Sequence, residues 1–337
     1  TQRLAPRVVT VTGVSFIKFL LNNYVVKSTG GGLRAIRVAA KTISPDKKKN
    51  HEAFPIDQGH CSCHQPRGPG GHFNNRPEQK GPKTMSASSG DPMAAAVFRG
   101  KDRIGIEEKP IPACGPNDAV IKVTLTTICG TDLHIVREEF PVDLGRTVGH
   151  EHVGVIHEIG EAVSGYEIGD RVLVGAITPC GTCFYCQSHC EAQCSGHEDE
   201  WEMIGGWRLG NSIDGCQAEY VRVPYAQANL AAIPDDMTDE QCILLADIAS
   251  TGISAAERAD VTIGETVAVF AQGPIGLCAT AGARLMGASL VIGVDSLENR
   301  LHMSTRMGAD VAIDYTDQDP IAEIKRLTGG RGVDVAI

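Results

Sequence analysis

The 337-residue sequence has no long hydrophobic run. Its most apolar early stretch, residues 14–26, is broken by Lys18, Asn22 and Asn23. Nothing approaches the roughly 20 consecutive apolar residues of a membrane helix, so no membrane partner is expected. Acidic residues are missing at the start, where seven basic residues precede Asp46. A basic excess is missing from everything later, since residues 93–337 carry 17 Lys and Arg against 36 Asp and Glu. That acidic body excludes nucleic acid as a partner, because phosphate binding needs a basic surface.

Residues 1–92 are a different kind of sequence, with 14 basic residues against 5 acidic ones. They begin without Met, hold no sustained helical or strand period, and include a Gly/Pro/His/Asn-rich stretch over 59–82. Such a composition buries too little apolar surface to order itself. The expectation is a disordered segment lying upstream of the natural start, with Met85 or Met93 as first residue. An organelle-targeting segment is the weaker alternative. His60, Cys61, Cys63 and His64 form only a weak metal pattern, without a second pair.

From Met93 the chain reads as short, Gly-punctuated strands: 94–98, 119–126, 153–159, 171–174 and 218–223. Residues 93–240 are therefore expected to form a β-rich domain. A helix is expected over 241–256, and then strands alternate with helices. Strands are expected at 266–271, 290–294, 311–315 and 333–337, and helices at 274–286, 299–307 and 320–328. Residues 241–337 thus predict a doubly wound parallel sheet, and the fold class is α/β. The sequence stops inside the fourth strand, so the second domain is expected to be incomplete. The 337-residue chain is accordingly expected to be poorly soluble and inactive, and a longer chain to be active.

The first of these strands runs into Ala271-Gln-Gly273-Pro274-Ile275-Gly276, close to the G-x-G-x-x-G fingerprint of dinucleotide sites. Gly273 lets the backbone approach a pyrophosphate, and Gly276 lets helix and strand pack closely. Asp295 ends the second strand, where a carboxylate accepts from the ribose hydroxyls and repels a 2′-phosphate. The cofactor expected is NAD, with Arg300 near the same ribose.

Twelve cysteines would suit a disulfide framework in a small secreted protein, but five of these fall between Cys180 and Cys194. Cys180, Cys183, Cys186 and Cys194 put four thiolates in one short loop. Four such ligands close a Zn²⁺ shell, which predicts a structural zinc in a chain kept in the reducing cytoplasm. His189 and Cys190 fall outside the regular spacing. A second ligand set is scattered: Cys129, His150 with Glu151, and Asp247 before Ile-Ala-Ser-Thr-Gly. Three protein ligands leave one position of a second zinc open to substrate.

Cys129-Gly-Thr-Asp-Leu-His134, Gly149-His150-Glu151, the four-cysteine loop and Gly273-Pro274-Ile275-Gly276 together resemble the zinc-dependent medium-chain alcohol dehydrogenases. The resemblance runs from Met93 to Ile337. It implies a GroES-like catalytic domain followed by a Rossmann-type domain. It also implies two zinc ions per chain, NAD, and reversible conversion of a primary or secondary alcohol to aldehyde or ketone. By it, Cys129, His150 and Asp247 bind the catalytic zinc, with Glu151 an occasional fourth ligand; Asp as third ligand resembles the bacterial secondary-alcohol enzymes. Thr131 would take the alcohol proton and pass it through the ribose to His134, Asp132 would hold the other nitrogen of His150, and Thr251 would lie against the nicotinamide. Two departures stand out: Ala271 replaces the first fingerprint glycine, and half of the cofactor domain that the resemblance implies is expected beyond Ile337. A polyol, threonine or formaldehyde dehydrogenase of the same superfamily is the nearest alternative, and an inactive zinc-binding fragment the more distant one. A homodimer or homotetramer is expected for the longer chain.

Overall fold

The computed structural model describes residues 88–196 and 205–337, together with the backbone of residues 25–27. The rest of the upstream segment, including the His60–His64 pattern and Met85, lies outside the described residues.

Alternating burial shapes the first half. β2 (Pro92–Phe98) and β3 (Ile104–Pro110) form an antiparallel hairpin with Pro92 opposite Pro110 and Phe98 opposite Ile104. β4 (Ala119–Thr127) buries Ala119, Ile121, Val123 and Leu125 at period two. It leads into α1 (Gly130–Val136), β5 (His152–Ile159), β6 (Arg171–Val174) and α2 (Phe184–Gln187). β7 (Tyr220–Val223), α3 (Ala226–Asn229) and β8 (Leu230–Ala232) complete this half. The sheet order is β1-β4-β5-β6-β8, with β7 also on β4 and β1 being Val25–Lys27. Every pairing in it is antiparallel. Register shifts at Val120/Ile121 and Val123/Leu125 mark where β4 and β5 bend.

The second half changes period. α4 (Asp239–Cys242) opens on a Thr238 cap and runs into a 3-10 turn, Ile243–Ala246. The single helix expected over 241–256 is not continuous. Asp247, at φ −145° and ψ −63°, breaks it before α5 (Ile248–Arg258). The break aims the Asp247 carboxylate at His150, which an unbroken helix would not do.

β9 (Thr266–Phe270), α6 (Pro274–Leu285), β10 (Leu290–Asp295), α7 (Glu298–Arg306), β11 (Val311–Asp314), α8 (Pro320–Leu327) and β12 (Val335–Ala336) then alternate. Their order is β11-β10-β9-β12, all parallel, which is the expected 3-2-1-4 arrangement. β10 is buried from Val291 to Asp295, as a strand covered on both faces must be. Ala268, Ile292, Val294, Ile313 and Ile324 fill one face of this sheet, and Val267, Val269, Ala279 and Ala283 the other. Between the halves, Leu125 and Val153 cluster with Ile243, Ile248, Leu277 and Met303. The fold is α/β: a GroES-like antiparallel half followed by a Rossmann-type parallel one. Among the described residues, no helix is long and apolar enough to cross a membrane.

The glycine loop joins β9 to α6. Gly273 caps the helix and Pro274 occupies its first turn. A Cβ on Gly276 would lie 1.8 Å from the Ala271 carbonyl oxygen, so only glycine fits there. Ala271 itself sits at φ 70°, the left-handed region that favours glycine.

Candidate active site

Three chain segments converge on His150. Cys129 precedes α1, and its backbone N–H donates to Asp132 Oδ2 at 2.9 Å. His150 and Glu151 follow Gly149, whose φ of 97° turns the chain into β5. Asp247 arrives from the break before α5. One donor atom from each of Cys129, His150, Glu151 and Asp247 can be chosen so that all lie within 4.8 Å of one another. His150 Nε2 is 3.6 Å from Asp247 Oδ2 and 3.8 Å from Glu151 Oε1.

Burial makes this cluster demanding. His150 and Glu151 are buried, and among the described residues His150 Nδ1 and Glu151 Oε1 have no hydrogen-bond partner. Burial lowers the His150 pKa, but its contacts with Asp247, Cys129 and Asp132 outweigh that and push it up to about 11. Burial raises Asp247, whereas His150 and Thr251 pull it down further, leaving it below the ordinary carboxylate value. Buried groups of one sign around a single imidazole ask for a cation. A thiolate, an imidazole and carboxylates are the donor set of zinc. The cluster fits Zn²⁺.

The neighbours steady these donors. Thr127 Oγ1 donates to Glu151 Oε2, and Thr126 Oγ1 to the Glu151 carbonyl at 2.8 Å. Asp132 faces His150 Nδ1 at 3.7 Å, too long for the hydrogen bond the sequence suggests. Its Oδ2 is taken by Cys129 and by Gln217 Nε2, which holds the carboxylate back. Thr131 Oγ1 lies 3.7 Å from Cys129 Sγ, and the exposed His134 bonds Glu139 through Nδ1. Thr251 Oγ1 donates to Asp247 Oδ1 at 2.6 Å. Cys242, the thiol nearest Asp247 along the chain, is buried in the apolar seam and does not join the cluster. Sequence reasoning missed Trp207, whose ring centroid lies 5.9 Å from that of His150 at an interplanar angle of 74°. A lone Trp in a Gly-Gly-Trp-Arg stretch gives no signal of that proximity.

The four-cysteine loop is a second cluster. Cys183 Sγ is 3.5 Å from Cys186 Sγ and 3.8 Å from Cys194 Sγ, and Cys180 Sγ is 3.9 Å from Cys186 Sγ. A zinc tetrahedron with Zn–S near 2.3 Å has S···S edges of about 3.8 Å. The sulfurs fit. Backbone N–H groups of Cys180, Cys183 and Gly196 donate to them at 3.2–3.3 Å. Arg208 Nη2 reaches Cys194 Sγ at 3.5 Å, and its guanidinium lies 5.6 Å from the Tyr225 ring centroid. Burial raises the Cys194 thiol, but those donors outweigh it and bring it down to about 6. Cys190 Sγ turns instead to the Ser188 carbonyl, and His189 to Glu191.

In the parallel half, Asp295 accepts from the backbone N–H groups of Gln272, Ser296 and Leu297 at 2.6, 2.8 and 3.0 Å. Arg300 Nη1 stands 3.4 Å from it. Asp295 therefore pins the glycine loop.

Residues 115–235 match the profile of the alcohol dehydrogenase GroES-like domain, and residues 274–337 that of zinc-binding dehydrogenases. An alcohol dehydrogenase of Cupriavidus necator is 52% identical over 255 residues, which are 73% of this chain and 69% of that protein. A probable NADP-dependent isopropanol dehydrogenase of Mycoplasma pneumoniae is 39% identical, over 67% of this chain and 63% of its own. The structure of the alcohol dehydrogenase TADH from Thermus sp. ATN1 superposes with a TM-score of 0.66 at 34% identity, covering 72% of this chain and 69% of that one. Sequence, fold and both metal-ready clusters agree, and the chain belongs to the zinc-dependent medium-chain alcohol dehydrogenases.

Proposed function

We propose that the chain oxidises small primary or secondary alcohols with NAD, reversibly, at the Cys129–His150–Asp247 cluster. The observation that carries this is the convergence of a thiolate, an imidazole and two carboxylates on one buried point. Bound there, Zn²⁺ would supply a Lewis acid for the alcohol oxygen, and a nicotinamide would accept the hydride.

The chain's own residues do the rest. Cys129, His150 and Asp247 hold the metal, and Glu151, kept at its edge by Thr127, is the reserve donor. Thr131, beside Cys129, takes the alcohol proton, and His134, exposed on the same helix, is the exit to solvent. Trp207 gives the site an apolar wall against His150, which suits a small alcohol carbon chain. Gly273, Pro274, Ile275 and Gly276 receive the pyrophosphate at the start of α6, and Asp295 reads the ribose and rejects a 2′-phosphate. The Cys180, Cys183, Cys186 and Cys194 zinc has no open position and is structural. Free thiols at all ten described cysteines suit a reducing, cytoplasmic setting.

The test measures zinc content and, in a chain continued past Ile337 to the length of the relatives, turnover of a small-alcohol panel with NAD and with NADP. Asp247→Ala should lose one of two zinc ions and all turnover, while Cys242→Ala should keep both. The opposite pattern would move the ligand role to Cys242, and a native preference for NADP would refute the role given to Asp295.

A further inference from the structure

Asp247 occupies the cap position of α5, yet its side chain makes no capping hydrogen bond. An Asp there ordinarily accepts from the N–H of the second or third helical residue. Here the carboxylate is committed elsewhere. Oδ2 faces His150 Nε2 at 3.6 Å, and Oδ1 accepts from Thr251 Oγ1 at 2.6 Å. The helix start is held by other means: the Asp247 carbonyl accepts from the Thr251 N–H at 2.7 Å and from Ser250 Oγ at 2.8 Å.

Each oxygen of the carboxylate thus has one assigned direction. A free Asp side chain rotates about two bonds, and only some of its orientations present a lone pair to the point shared by Cys129, His150 and Glu151. The Thr251 bond removes the others.

We infer that Thr251 is a positioning residue for the metal: its hydroxyl fixes the Asp247 carboxylate so that Oδ2 is presented as a ligand. The inference rests on Asp247 being a ligand, as proposed above. It makes the Thr251 hydroxyl a determinant of metal retention, a role separate from contact with the nicotinamide. Outer partners of metal ligands contribute about 10–100-fold to metal affinity.

The experiment follows zinc release from the full two-zinc chain to a competing chelator, with Zn²⁺ the only ligand varied. The Cys180–Cys194 zinc, identified as the phase absent from Cys183→Ser, reports whether the fold is intact. Thr251→Val, nearly isosteric but without the hydroxyl, should release the other zinc about 10–100-fold more readily and leave the four-cysteine phase unchanged. Thr251→Ser, which restores the hydroxyl, should behave as the unmodified chain does.

Equal release from Thr251→Val and the unmodified chain would overturn the inference, provided Asp247→Ala loses its zinc. Equal weakening in the Val and Ser variants would assign the effect to packing and overturn it too, as would loss of the four-cysteine zinc in Thr251→Val. Retention of both zinc ions by Asp247→Ala would instead remove Asp247 from the ligand set and take the role of Thr251 with it.

Discussion

Ala271 and Gly276 are locked face to face: a Cβ on Gly276 would lie 1.8 Å from the Ala271 carbonyl oxygen. Ala271 pays for the turn that makes this approach with a left-handed backbone at φ 70°. Left-handed geometry disfavours a side chain by roughly 1–2 kcal/mol, partly offset by the greater unfolded freedom of glycine. Ala271→Gly should therefore raise stability by about 1 kcal/mol, read as a higher denaturant midpoint at unchanged slope. A lower midpoint would show that the alanine is unstrained. Gly276→Ala should abolish dinucleotide binding.

Asp295 pins the glycine loop and, in the function proposed, also reads the ribose, and substitution should separate the two. Asp295→Ser removes like-charge repulsion toward a 2′-phosphate, which should relax discrimination against NADP by on the order of 1–3 kcal/mol. It also removes the acceptor for three backbone N–H groups, so the melting temperature should fall. Asp295→Asn keeps an acceptor oxygen and should lose less stability for a similar gain with NADP. The ratio of kcat/KM values and a thermal melt on both variants check this, and an unchanged melt for Asp295→Ser would leave the loop pinned by something else.

Arg208 is the cation of the four-cysteine loop. It donates to Cys194 Sγ and to the Cys194 and Thr178 carbonyls. Four thiolates around Zn²⁺ carry a net charge of −2, and Arg208 offsets part of it. Arg208→Met should speed zinc release from that loop, with the Cys129–His150 zinc unaffected; Arg208→Lys should be intermediate, since it keeps the charge and loses the fork. Release unchanged in Arg208→Met would deny the guanidinium any part in holding the site.

Asp334 ties the approach to β12 onto β9. It accepts from the Thr266 N–H and hydroxyl, both at 2.9 Å, and from Arg331, and these bring its pKa down to about 2. A carboxyl depressed in the folded state stabilises it fully above the unfolded value of 3.8 and loses that contribution as pH falls toward 2. The difference in melting temperature between the unmodified chain and Asp334→Asn should be constant above about pH 5 and shrink below it. A difference that grows on acidification would reverse the sign of the linkage.

The parallel half was legible in the sequence almost to the residue, because each buried strand is an apolar run bounded by turn signals and each helix carries its own stop. The ligand types were legible too, since cysteine spacing and the Gly-His-Glu triplet are local patterns. What escaped was short or non-local. α1 spans only seven residues, less than a period analysis needs, and β8 only three. β3 alternates well but ends in a run of charges and proline. The break at Asp247 was hidden inside a sequence whose apolar spacing continues on either side. Trp207 and Thr251 acquire their roles from residues 57 and 4 positions away respectively, His150 and Asp247, and only folding brings the first pair together.

α5 and α6 cross where Gly252 meets Cys278 and the Ile275 carbonyl, so near that a Cβ on Gly252 would lie 2.5–2.6 Å from them. One of these helices begins at Asp247, which faces His150, and the other at Gly273 of the glycine loop. Their near-contact couples the two helix starts, since neither can shift at the crossing without the other. A larger residue at the crossing would tilt both together, so metal retention and dinucleotide affinity would change in step.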